Sequence, residues 1–190
     1  MKVKFILTFC IILVIIMGCA KPPIAEMDSA REAVFKAEND EDAVLYAGAT
    51  LARARDALRQ MEEAADSKQY DAARTHAEDA KSAAERAITD GKTGAARARD
   101  ESTSMLRGLR ESLEETERNI NGARYSLLDL NYDDLGREFM DASNTVDRAE
   151  SEHSRGNYPD ALDNSRKARS AISSINERIS NAATAVSPKK

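Results

Sequence analysis

Few side chains in this sequence are of types that do chemistry, and their spacing does not form a known kind of site. His76 and His153 are the only histidines among 190 residues. Each stands beside acidic residues, and neither belongs to an H-x-x-x-H or H-E-x-x-H pair, which would place two zinc ligands on one helix face. We therefore interpret both as solvated surface histidines, and we expect no metal site and no cofactor.

Nucleophiles and phosphate-binding loops are not indicated either. No serine or threonine lies in the glycine-framed turn that exposes a catalytic hydroxyl. The segment from Gly91 to Gly94 contains two glycines without the spacing of a phosphate loop. We predict that the protein is not an enzyme and expect no catalytic residues.

Clusters of charge have simpler explanations than ligand binding. The acidic runs at 40–42 and 133–134 lack the alternation of an EF-hand calcium loop, and acids there can cap helix starts. The arginines of segment 53–59 could bind an anion, but acids in the same stretch favour a balanced helix face. The formal net charge of −5 argues against nucleic acid as a partner.

The beginning of the chain has the three parts of a secretory signal. Lys2 and Lys4 precede a mainly apolar run from Phe5 to Met17, and Gly18 comes directly before Cys19. The apolar run is shorter than the about 20 residues that a helix needs to cross the hydrocarbon core. The pattern therefore indicates export rather than a membrane-spanning anchor.

The residues Ile16-Met17-Gly18-Cys19 resemble a lipobox, the signal-peptidase site of bacterial lipoproteins. The resemblance implies that residues 1–18 are removed, that cleavage falls between Gly18 and Cys19, and that Cys19 is acylated, for example with palmitate. It also implies a protein anchored by lipid to a bacterial membrane, facing the periplasm or the cell surface. Which membrane and which leaflet is left open.

Beyond the signal, the sequence predicts a helical bundle. Alanine is abundant, tryptophan is absent, and apolar residues recur at alternating spacings of three and four. We expect a lipidated tether at 19–23, a disordered tail at 186–190, and helices over 24–38, 43–66, 70–90, 95–130, 134–154 and 158–185. The glycines of segment 90–94 mark the strongest internal break, and one continuous helix across it is the alternative.

An internal repeat organises these helices. A shift of 88 residues overlays the second and third predicted helices on the last two without a gap, placing Leu51 on Phe139, Leu58 on Val146 and Tyr70 on Tyr158. We therefore expect an all-α fold of two tandem antiparallel three-helix units, 24–90 and 95–185, with heptad-like alanine-rich seams after the cleaved signal.

The first unit is similar to a small alanine-rich domain of bacterial envelope lipoproteins. The residues that carry the resemblance are Tyr46-Ala47, Leu51-Ala52-Arg53-Ala54, Leu58, and Tyr70 with Ala73. That family is known only as a domain of unknown function, and its members often precede an OmpA-like peptidoglycan-binding domain. Because no such domain follows here, the resemblance does not imply peptidoglycan binding. It extends more weakly over 100–180.

Three functions are compatible with this sequence. The first is a structural or adaptor module that binds another envelope protein, with Tyr46, Tyr125 and Tyr132 near helix junctions as candidate partner contacts. The second is binding of an apolar ligand or lipid between the two units, for which the richest apolar group is Leu106, Leu109, Leu113, Phe139 and Met140. The third is self-association through leftover apolar stripes. The oligomeric state and the partner's identity are left open.

Overall fold

The structure, a computed structural model, describes residues 21–186. All regular elements in this range are α-helices: α1 Ile24–Glu38, α2 Glu41–Tyr46, α3 Gly48–Asp66, α4 Tyr70–Tyr125, α5 Tyr132–Ser154 and α6 Tyr158–Val186. The predicted all-α fold class is therefore confirmed. The predicted signal, Cys19 and the residues after Val186 lie outside the described part of the chain. Contacts divide the described part of the chain into two units, with the boundary between Lys92 and Thr93.

The helix predicted over 43–66 is divided in the structure. The short helix α2 starts earlier, at Glu41, where the Asp40 carboxylate accepts a hydrogen bond of 2.8 Å from the Ala43 N–H. It ends at Tyr46, and the φ of −123° and ψ of 29° at the next residue, Ala47, depart from helical values. The sequence pattern missed this interruption because Ala47 is itself a strong helix former.

Helix α4 runs without interruption through the two glycines at 91 and 94. The continuous helix, which the sequence left as the alternative to a break, is the one observed. Gly91 has a packing role instead. A Cβ built on Gly91 would lie 2.5 Å from the backbone N of Ala43 and 2.6 Å from the carbonyl carbon of Asp42. The glycine therefore allows the backbone of α2 to lie directly against α4.

The second unit fills the corresponding space with a side chain. The 88-residue shift places Ile179 at the position of Gly91. Ile179 packs beside Leu130 and Tyr132 against the buried group of Ile120, Leu135 and Ile175. No short helix precedes α5 in this unit, where the chain leaves α4 at Tyr125 and enters α5 at Tyr132. Repeated sequence thus coexists with a local difference in packing.

The core of the first unit consists mainly of alanine. Small side chains let helix axes approach closely, and a few larger residues fill the seams between them. Met61 is completely buried and Leu51 nearly so. The alanines buried with them in the same cluster are Ala30, Ala37, Ala43, Ala47, Ala54, Ala77, Ala80, Ala84 and Ala87.

The core of the second unit has larger side chains and a polar layer. Leu109, Leu113, Val146 and Ile172 belong to its main buried cluster. The hydroxyl of buried Thr116 accepts a 2.7 Å hydrogen bond from the Asn176 side-chain amide. Such a pairing satisfies a polar group that would otherwise destabilise the core. The remaining buried polar side chains in the described range are Ser102 and Ser165.

Ion pairs cross between helices on the surface of each unit. Arg110 donates to Glu150 at 2.7 and 2.5 Å and to Asp147 at 2.8 Å, joining α4 to α5. The hydrogen bonds to Glu150, followed by that to Asp147, raise the pKa of the Arg110 guanidinium further above its ordinary value. Because these side chains are largely exposed, the pairs fix helix register more than they add stability.

Candidate interaction site

The turn between α4 and α5 holds an unusual backbone conformation. Leu127 has a φ of 51°, in the left-handed region. The Leu128 N–H donates to the Ala123 carbonyl at 3.1 Å, and the Leu127 N–H donates to the Arg124 carbonyl at 3.1 Å. This is the Schellman arrangement that closes many helices, and its left-handed position is usually glycine. The helix therefore ends at Tyr125 and not near 130 as predicted.

The same turn presents the two most exposed large apolar side chains of the described chain. Tyr125 is 92 % exposed and Leu127 is 88 % exposed. Leucine is unfavourable at this position for two reasons, because a left-handed conformation costs a non-glycine residue roughly 1–2 kcal/mol and because its side chain remains in water. Neither the fold nor solubility accounts for a leucine here.

We predict that Leu127→Gly raises the stability of the second unit by about 1 kcal/mol, since it relieves the left-handed strain without removing a buried contact. Gly156, with a φ of 81°, ends α5 in the same arrangement. Gly156→Ala should lower stability by a similar amount. Urea unfolding followed by circular dichroism measures both changes, and a loss of stability in Leu127→Gly would show that Leu127 contributes to the fold.

The other two candidate contact tyrosines lie closer to the interior. The Tyr132 hydroxyl donates to the Leu128 carbonyl at 2.9 Å, and the Arg124 guanidinium carbon lies 5.2 Å from the centre of the Tyr132 ring. Tyr46 is half-buried, with its hydroxyl oxygen shielded from solvent. Of the three tyrosines, Tyr125 alone offers a whole ring to a partner.

The two histidines differ in their surroundings from the solvated side chains predicted. His76 is half-buried. His153 is also half-buried, and its Nδ1 lies 3.0 Å from the hydroxyl of buried Ser102, while its ring centre lies 5.4 Å from that of Tyr158. His153 thus closes the end of the α4–α5 seam. Within residues 21–186, no group of three or more histidine, cysteine or acidic side chains is placed to hold a metal ion.

The arginine-rich segment of α3 is paired with acids. Arg59 bonds to Asp56 at 2.5 Å and Glu63 at 2.6 Å, and Arg55 bonds to Glu38 of α1 at 2.7 Å. The hydrogen bond from Arg59 lowers the pKa of Asp56, and the bonds to Asp56 and then Glu63 raise the pKa of Arg59. This agrees with the interpretation of the segment as a balanced helix face.

The apolar residues suggested as ligand contacts lie mostly in the packed core of the second unit. Leu106, Leu109 and Leu113 are buried, Phe139 is partly buried, and Met140 is 65 % exposed. The hypothesis of an apolar ligand between the two units stays a prediction.

Helix α2 exposes a second apolar surface, which the sequence did not predict. Val44 and Leu45 are about half exposed, while Ala43 beside them is fully buried. The sequence signal for this surface was the repeat itself. The 88-residue shift places Tyr132 and Asp133 at these two positions, so the first unit has apolar residues where the second has a packed aromatic ring and an exposed acid.

Residues 25–103 match a domain of unknown function, DUF4398. The DUF4398 match covers α1, α2, α3 and the first part of α4, and therefore includes both α2 and Gly91. It ends before the turn that carries Tyr125 and Leu127. No curated protein and no solved structure gives a significant match to the chain.

Between residues 21 and 186, no helix is both long enough and apolar enough to span a membrane.

Proposed function

We propose that this chain is a lipid-anchored protein of the bacterial envelope whose helical units act as an adaptor that binds another protein. Support for the anchor comes from the sequence pattern that ends in Gly18 and Cys19. Support for the adaptor role comes from the α4–α5 turn. The observation that carries it is the exposure of Tyr125 and Leu127 on a turn whose backbone favours glycine.

The turn has the properties of a protein contact. Unusual backbone conformations that persist despite their cost often occur at functional positions. Aromatic side chains that enter a pocket of a partner contribute strongly to binding, since they bury a large apolar area with few rotatable bonds. Tyr125 and Leu127 are separated by one residue at a helix end, so we expect one partner surface to contact both.

A matched pair of variants tests this proposal. The double variant Tyr125→Ser/Leu127→Ser removes the exposed apolar groups, while Met140→Ser removes another exposed apolar side chain from α5 of the same unit. After crosslinking in membranes and affinity purification, wild type and Met140→Ser should recover the same discrete envelope protein. Recovery by the double variant should fall at least tenfold, because a loss of about 1.4 kcal/mol in binding is a factor of ten.

Two outcomes would contradict the adaptor role. Recovery of only bulk lipoproteins by wild type would show that there is no specific partner. Equal recovery by wild type and the double variant would show that the partner binds elsewhere.

The anchor has its own test. Cys19→Ser removes the thiol to which lipid would be attached, so the variant should lose incorporation of labelled palmitate and leave the membrane fraction. A small lipid anchor contributes about 0.8 kcal/mol per buried methylene, so its loss changes partitioning by orders of magnitude. Unchanged membrane retention in Cys19→Ser would overturn the lipid anchor while leaving the adaptor role open to test.

A further inference from the structure

The outward face of helix α2 carries apolar side chains that remain about half exposed. Val44 is 50 % exposed and Leu45 is 59 % exposed. On the preceding helix, Phe35 of the last turn of α1 is 66 % exposed. The inward side of α2 is already anchored, because Ala43 is buried and its backbone lies against Gly91. Burial of the inner side therefore does not require apolar residues on the outer side.

Val44 and Leu45 line a shallow open groove with an acidic rim. The groove is lined by Glu38 and Asn39 at the end of α1 and by Glu41, Val44 and Leu45 of α2. Asp42, next to Glu41 on the same helix, is half-buried. Among these acids Glu38 has a basic partner, Arg55, whereas Glu41 and Asp42 form no ion pair with another described residue. The rim thus carries uncompensated negative charge around an apolar centre.

The second unit shows that the repeated fold can do without this surface. At the positions of Val44 and Leu45 it has Tyr132, packed beside its core, and Asp133, exposed to solvent. The hydroxyl of Tyr132 is also satisfied, by the Leu128 carbonyl. Exposed valine and leucine in a six-residue helix are therefore a property of the first unit alone. Valine is also a poorer helix former than the alanine or leucine that would serve equally well.

We propose that the outer face of α2, with Val44 and Leu45 at its centre and Glu41 and Asp42 at its rim, binds a basic amphipathic segment of a partner protein. Leucine-like side chains of that segment would cover Val44 and Leu45, and its lysines or arginines would pair with the rim. This is the helix-in-groove mode of recognition, in which apolar anchors provide affinity and complementary charge provides specificity and a fast approach.

The acidic rim favours a protein segment over a lipid surface as the binding partner of α2. Bacterial phospholipid surfaces carry negative charge and attract basic patches. The same anionic headgroups would repel the unpaired acids at 41 and 42. A protein segment with apolar side chains and flanking lysines is complementary both to the apolar centre and to the acidic rim. The proposal requires neither the lipid anchor nor the contact at Tyr125 and Leu127, since α2 belongs to the other unit of the chain.

A pair of synthetic peptides tests the proposal on the full chain. The probe is a 14-residue amphipathic peptide of leucine and lysine (about four helical turns at 3.6 residues per turn), and its control is the same peptide with glutamate in place of lysine. The lysine peptide should bind, with affinity falling as salt rises, and should protect the backbone amides of residues 35–46 from hydrogen exchange. The glutamate peptide should not bind.

Three variants connect the binding to α2. Val44→Ser/Leu45→Ser should raise the Kd for the lysine peptide at least tenfold, and Met140→Ser should leave it unchanged. Glu41→Lys/Asp42→Lys should weaken binding of the lysine peptide and permit binding of the glutamate peptide. Asp42 is half-buried and the other substituted positions are exposed, so circular dichroism should be that of wild type in each variant.

Several results would overturn the proposal. These are an equal Kd in wild type and Val44→Ser/Leu45→Ser, protection located outside residues 35–46, and binding of both peptides alike. Binding of vesicles of anionic phospholipid that depends on Val44 and Leu45 would also overturn it, since it would identify a lipid surface as the occupant.

Discussion

Gly91→Ala should lower the stability of the first unit by about 2 kcal/mol or more, although alanine is the better helix former. The added Cβ would lie within 2.7 Å of three backbone atoms of Asp42 and Ala43, so the two backbones would have to separate. Overpacking of this kind typically costs 1–3 kcal/mol, and here the obstacle is backbone rather than a flexible side-chain end. The gain in helix propensity offsets at most about 1 kcal/mol.

Gly108→Ala and Gly122→Ala are the matched controls in the same helix. A Cβ at either position would meet no atom within 4 Å, so each change should raise stability by up to about 1 kcal/mol through helix propensity. Hydrogen exchange followed by mass spectrometry distinguishes the two units, and Gly91→Ala should speed exchange in α1, α2 and α3. If Gly91→Ala were stabilising like the controls, α2 would not lie against α4 as described.

Reciprocal changes at one repeated position should destabilise both units by different mechanisms. The 88-residue shift aligns Ala84 with Ile172, and each is buried in the core of its own unit. Ala84→Ile should cost about 3 kcal/mol, because the alanine seam has no room for three more carbon atoms. Ile172→Ala should cost 2–5 kcal/mol, because it leaves a cavity beside Leu109 and Leu113.

An exposed alanine provides the control for size. Ala52→Ile places the same side chain on the solvent face of α3 and should change stability by no more than about 0.5 kcal/mol. Urea unfolding of the full chain, with hydrogen exchange to assign the unit affected, measures all three variants. If Ala84→Ile left stability unchanged, the space between the helices of the first unit would have to be as wide as that in the second unit.

The helices were predictable because their signals are local and periodic. Apolar spacing and capping residues predict the bounds of α1, the start of α4 at Tyr70 and the start of α6 at Tyr158. The sequence predicts a break near Gly91 because glycine is a poor helix former, and the residue that Gly91 packs against is distant in sequence. Only the folded chain shows that the backbone of Ala43 occupies the space where its side chain would be.

The candidate contacts were predictable only in part. Tyr125 was singled out from the sequence because it lies near a helix junction, and the structure exposes it. Leu127 was assigned to the predicted helix, since a left-handed leucine has no sequence signature. Val44 and Leu45 were assigned to one long helix, and their exposure depends on the interruption at Ala47.

The adaptor role is tested most directly by site-specific photocrosslinking in cells. A photoreactive phenylalanine analogue at position 127 should capture one discrete envelope protein. The control is the same analogue at Lys68, an exposed residue that ends α3 with a similar φ of 57°; this position should not capture that protein. Absence of any protein adduct at position 127, or the same adducts at both positions, would contradict the proposal that this turn binds a partner.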